Sequence, residues 1–172
     1  VTSFFVSALV GFGVPAAAAA ALGEVFHRPR GLIVISGPAG SGKSSLAEVA
    51  CAELGRPVAF RGDLILPDAL ALAVEAAGRG LVVGVIKGGG EPAVRARLLA
   101  AGVSEAAIAA AGLAVVTLGL VAAVGLIVVE VRDADGRLLT GTLGEELAAL
   151  VAAGAISPEQ GRAALGEGGA RA

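Results

Sequence analysis

The sequence predicts an α/β fold: a parallel sheet with helices packed on it, followed by C-terminal helices. Three observations point there. Short continuous apolar runs of the kind that make buried central strands, LIVIS, PVAF and LVVGVI, alternate with stretches of helical spacing. The helical stretches carry start and stop signals, with Pro67 and Asp68 opening one and Gly55 closing another. The first apolar run also passes straight through glycines into a helix, in GLIVISGPAGSGKSSLAEVACAEL over residues 31–54.

Residues 1–30 read as a turn-broken apolar helix containing AAAAAALGEVF, closed by HRPRG, and form an N-terminal helix and linker. The core domain is expected over residues 31–130. In it LIVIS is a strand, SSLAEVACAEL a helix, PVAF a strand leading into RGD, PDALALAVEAAGRG a helix, and LVVGVI a third strand before the flexible KGGG. EPAVRARLLAAG is helical, with acid first and arginines later, and SEAAIAAAGLAVV is expected to be helical too. GLIVVEVRDADGRLL has the character of a hairpin around an Asp-Gly turn. Residues 131–172 then carry the hairpin's end and a helical tail, GEELAALVAAG and SPEQGRAAL, the latter opened by Ser157, Pro158 and Glu159. The last residues, GEGGARA, are expected to be loose.

A chain of 172 residues is long enough for one domain with a proper core. Its 13 basic and 15 acidic residues leave a net charge of −2, which speaks against a nucleic-acid or anionic-membrane partner. With 27 glycines, five phenylalanines and no Tyr, Trp or Met, the core must draw its stability from many small contacts. Cys51 falls inside a helix and reads as a small buried filler, and His27 reads as a surface residue with no second ligand at metal spacing. Residues 1–23 and 106–129 carry no charge and are long enough to cross a bilayer. Both are dominated by Ala and Gly, and Pro15 interrupts the first, so a soluble reading is preferred.

GPAGSGKS fits the phosphate-loop spacing GxxxxGK[S/T] at Gly37, Gly42, Lys43 and Ser44. Glycines let the backbone curl until several amides face one anion, and the following helix aims its positive end at the same point. Lys43, one of the chain's two lysines, neutralises phosphate charge there, and the Ser44 hydroxyl ligates magnesium. Hydrolysis or transfer further needs an acid near the metal. Asp63 is the first choice, at the end of a strand expected next to the loop, and Glu130 in LIVVEVRD the second. Either acid also reads as a solvated carboxylate. Arg61, Arg95 and Arg97 offer guanidinium groups for a transferring phosphoryl, although two arginines on one helix, Arg95 and Arg97, are more often just its wet face. Lys87 stands at a strand end before three glycines.

RPRGLIVISGPAGSGKSS resembles the nucleotide loop of the secretion ATPase superfamily, the hexameric motors that assemble or retract type IV pili and drive type II secretion. Ala39 stands where that family's GPTGSGKST has its first threonine, and Ser45 where it has its last. The segment from GDLILPDALALAVEAAGRG through RARLLAAGV is similar to the family's run from Walker B to the histidine box and the helices after it, and LAALVAAGAISPEQGRAAL resembles the closing helices of the retraction branch. On that pattern Gly62 and Asp63 fall on Walker B, Ile65 and Leu66 fall where the family has arginine and aspartate, and Lys87 falls on the histidine of the histidine box. The aspartate box has no counterpart.

The resemblance implies a P-loop NTPase of RecA-like build. It implies ATP and Mg²⁺ held by Gly37, Pro38, Ala39, Gly40, Ser41, Gly42, Lys43, Ser44 and Ser45, with Ser44 and Asp63 at the metal. It further implies a homo-oligomer of a hexamer-forming lineage, secretion or pilus machinery as partner, and a cytoplasmic place at the inner face of the membrane. Without aspartate and histidine boxes, weak or absent ATP turnover is expected. Two other readings stand beside it. A small-molecule P-loop kinase would use an aspartate after the second strand to orient the acceptor hydroxyl. A non-catalytic membrane-associated or assembly protein would carry the loop as a vestige.

Overall fold

The run GLIVISG forms strand β1 (Gly31–Gly37), buried along its whole length at the centre of a five-stranded sheet. The computed structural model describes residues 2–55 and 58–165, without the side chains of Thr2, Ser3, Phe60, Arg61, Asp63 and Ala123. The tail GEGGARA lies outside the described residues. β2 (Ala59–Asp63), β3 (Leu81–Lys87) and β4 (Ala114–Val121) run parallel to β1, β5 (Leu126–Arg132) runs antiparallel to β4, and the order is β2-β3-β1-β4-β5.

The sheet is therefore mixed, where a parallel one was expected. Only a 3-10 turn, Ala122–Val124, and the left-handed Gly125 join β4 to β5. So short a link cannot make the long crossover that parallel neighbours need. The expected helix over SEAAIAAAGLAVV is corrected as well. α6 (Glu105–Ala110) stops before Gly112, whose φ of +58° ends it, and the Val-rich continuation becomes β4. The Asp-Gly turn is present, but the second arm of its hairpin shrinks to a single bridge between Arg132 and Leu138, with Leu139 N–H donating to the Val131 carbonyl at 2.8 Å.

Alternation along the strands divides the core. Ile33 and Ile35 of β1 face a cluster made with α1 (Thr2–Gly11), α2 (Ala16–Phe26) and α3 (Lys43–Glu53). Leu32 and Val34 face the opposite cluster, made with α4 (Pro67–Ala77), α5 (Glu91–Ala100) and α6. α7 (Leu143–Ala152) and α8 (Pro158–Ala164) pack beside β4 and β5, closing a smaller cluster around Val121, Val128 and Leu147. Both carry a capping box, Thr142 with Glu145 and Ser157 with Gln160, the second where Ser157, Pro158 and Glu159 were expected to open a helix.

The N-terminal segment is part of this core. Phe5 and Phe26 are fully buried with ring centroids 5.8 Å apart, each burial stabilising by about 1.5–3 kcal/mol. α1 ends in a Schellman motif: Gly13, at φ +103°, donates to Val10 at 2.9 Å and Val14 donates to Leu9 at 3.0 Å. Phe12 is the C-cap, and Pro15 follows to open α2. Among the described residues no helix is long and apolar enough to cross a membrane. The stretch 1–23 is split between α1 and α2, and 106–129 is divided among α6, β4, the turn and β5.

Candidate functional site

Residues 38–42 link the carboxyl end of β1 to α3. Gly40 and Gly42 have φ of +76° and +83°, the left-handed region that glycine enters without strain, and together they curl the main chain around the start of the helix. No side chain caps α3, so the amides of its first turn keep no intrahelical acceptor. Lys43, the first helical residue, is 8% exposed and folds back over the loop. Its Nζ donates to the Pro38 carbonyl and, at 3.4 Å, to Ser41 Oγ. Ser44 and Ser45 are exposed beside it. Gly40, Gly42, Lys43, Ser44 and Ser45 line an open cavity of about 300 Å³.

The strand ends complete the surroundings. Gly37 stands in register with Lys87, and Gly88 N–H donates to the Gly37 carbonyl at 3.1 Å, so the expected flexible turn KGGG is tied to the loop at its first glycine. Lys87 itself is exposed. On the other side of β1, buried Ser36 donates from Oγ to Thr117 Oγ1 of β4 at 3.2 Å. From β1 the chain goes to β2 and β3 on one side, then crosses to β4 on the other. Open α/β sheets hold their ligands at the carboxyl ends of strands where such a reversal occurs.

Asp63 was expected on a strand next to the loop. β3 intervenes, so the end of β2 lies two strand spacings from β1, about 10 Å. Its backbone still ends at the same edge of the sheet as Gly37 and Lys87, and its side chain is outside the described residues. Glu130 lies on the other side of β1, also two strand spacings away, in line with Thr117 and Ser36. It pairs with Thr117 across β4 and β5, and its carboxylate is taken up by Arg132 Nε at 2.9 Å and by the backbone N–H of Leu143 at 3.0 Å, which fastens the start of α7.

Arg95 is engaged by Glu91 and Glu105 on the helix surface, and the Glu91 hydrogen bond foremost raises its already high pKa, against the opposing effect of burial. Arg97 lies over the glycines after β3, its Nη2 3.2 Å from where a Cβ on Gly88 would stand. The side chain of Arg61 is outside the described set. His27 is not the surface residue expected. Its ring packs edge-on against Phe5 at 5.1 Å, Nδ1 sits 2.9 Å from the Gly23 carbonyl, and Nε2 is buried. Cys51 is half-buried against the core, and that burial pushes its thiol pKa up, as suits an unreactive filler.

Two neighbours of the loop escaped the sequence reading. Ser36 and Thr117 are 81 residues apart, and no local pattern pairs them. Phe12 comes within 3.9 Å of the point where a Cβ on Gly42 would stand, a proximity set by how α1 lies on α3. Its only sequence signal is rarity, one of five aromatic side chains, placed just before the glycine that ends a helix. A separate apolar crevice of about 210 Å³ lies along β5, between Pro15 and Leu150, with Glu146 at its rim.

Fold and site together define an α/β protein with a mixed sheet, helices on both faces, and a glycine loop closed by a buried lysine at the strands' carboxyl edge. No protein-family model matches the chain, and no curated protein sequence does. Among the described residues no three His, Cys, Asp or Glu side chains gather into a metal cluster. Magnesium bound through phosphates needs none, because it keeps most of its waters and takes one or two protein oxygens.

Proposed function

We propose that this chain binds ATP with Mg²⁺ at the loop of residues 37–45, and that it is a shortened relative of the ring-forming secretion and pilus motors with weak or no turnover. The observation that carries the reading is the burial of Lys43. A cation in the first turn of a helix opposes the helix dipole, and removing it from water costs more. Beside a polyphosphate that placement is favourable, since the ammonium, the uncapped amides and the dipole then act on one anion. Ser44, exposed at the second position of α3, has the chemistry to hold the metal, and ATP would supply its remaining oxygens.

The kinship with the motors is supported by the order of features along the chain: the glycine loop, then Gly62-Asp63 ending β2, then Lys87 ending β3, all at one edge of the sheet. An acid two strands from the loop suits contact through a metal-bound water, not direct ligation. Calorimetry with ATP and Mg²⁺ on the intact chain tests the reading. Saturable binding is expected, and Lys43→Ala should abolish it while leaving the circular dichroism spectrum unchanged. A folded wild-type chain that takes up no ATP at millimolar concentration would end the proposal. Brisk hydrolysis lost on Asp63→Asn would overturn the expectation of weak turnover.

A further inference from the structure

We propose that Phe12 is the surface on which the base of the bound nucleotide stacks, so that the site takes a nucleoside triphosphate in preference to bare polyphosphate. This rests on the reading of the loop as a phosphate site. A triphosphate alone needs only the loop amides and Lys43. A base needs in addition a flat apolar face at fixed distance, and Phe12 offers one. Its Cζ lies 3.9 Å from the position of a Cβ on Gly42, the residue that caps α3 and lines the loop cavity. The ring is half-buried, with one part packed on the core and the rest open.

The backbone that carries the ring is also held in place before any ligand arrives. Phe12 is the C-cap of α1, and the paired bonds from Gly13 to Val10 and from Val14 to Leu9 fix its backbone. Leu9 and Val14, both buried, clamp the turn from below. A pre-set aromatic loses little freedom on binding, and stacking accepts any base. Of the other phenylalanines with described side chains, Phe5 and Phe26 pack on each other in the core, and Phe4 is exposed near the opposite end of α1, away from the loop.

The experiment compares ATP with inorganic triphosphate, each with Mg²⁺, on the full chain by calorimetry. Wild type should bind ATP about tenfold more tightly than triphosphate. Phe12→Leu, which keeps an apolar side chain on the core, should bring the two affinities together by weakening ATP alone. The ratio is taken within one protein sample, so partial loss of folded material cancels. Phe12→Trp adds the chain's only tryptophan, and its fluorescence should be quenched by ATP and left unchanged by triphosphate. Equal affinities in the wild type, or an ATP preference that survives Phe12→Leu, overturns the role of Phe12 while leaving the loop reading intact. Failure of both ligands to bind the wild type overturns the loop reading and this inference with it.

Discussion

Replacing Gly37 by alanine should damage the fold far more than the same change at Gly40, although both glycines belong to one loop. At Gly37 an added Cβ would stand 2.5 Å from the Leu118 carbonyl oxygen and 2.9 Å from Ser41 Oγ, with φ at +147°. The near neighbour is backbone of a central strand and cannot swing away. Overpacking of this kind costs about 1–3 kcal/mol. The strained backbone adds roughly 1–3 kcal/mol, giving roughly 2–6 in total. At Gly40, φ is +76° and nothing lies within 4 Å of the added atom, so only the left-handed conformation is penalised. That penalty is about 1–2 kcal/mol. Urea unfolding followed by circular dichroism measures the difference. With a slope of about 2 kcal/mol per molar, a gap of about 3 kcal/mol separates the midpoints by about 1.5 M. Midpoints that fall together would show that β1 does not pass Leu118 as closely as described, and with it the anchoring of the loop would go.

Glu130→Gln should lower stability by about 1–2 kcal/mol, because the carboxylate fastens the first amide of α7 and pairs with Arg132, and it should leave ATP affinity unchanged. Lost turnover at unaltered melting temperature would instead restore Glu130 to a chemical role. Asp133 gives a pH signature. Burial works to raise its pKa, but the backbone amides of Arg137 and Asp135 and the Arg137 guanidinium outweigh it and hold the carboxyl below its usual range. A depressed carboxylate stabilises the fold above its unfolded pKa of about 3.9, and that contribution fades as pH falls through the folded value. Asp133→Asn should flatten the acid limb of the stability profile, read from melting temperatures between about pH 6 and pH 2.5; identical limbs would refute it.

The loop was legible because everything that builds it is local: an apolar strand, glycines at fixed spacing and a lysine in the first helical turn all lie within residues 31–45. β1, β2 and β3 were legible for the same reason. β4 was not, since AVVTLGLV continues an alanine-rich run whose end is marked only by Gly112. The pairing of β5 was hidden too. GLIVVEV sits between two apolar neighbours, and the choice of Ala114–Val121 over RLL depends on the longer strand offering more pairs. Strand order is a matter of the whole sheet, and so the distance from Asp63 to the loop could not be read from how closely they follow in sequence.

The irregularity of β2 has a bearing on strand-to-strand aggregation in so greasy a chain, with a mean hydropathy of +0.85. Between Phe60 and Asp63 three steps on β2 match two on β3, so the outer lip of the sheet is kinked where a straight one would template a stranger's strand. The opposite lip is strapped along part of its length by Leu138, Leu139 and Thr140, whose hydroxyl meets the Val129 carbonyl and the Val131 amide. Newly made copies meeting at high concentration thus find each border either crooked or already engaged, and the tendency to join end to end is checked by geometry in a molecule with little charge to do it.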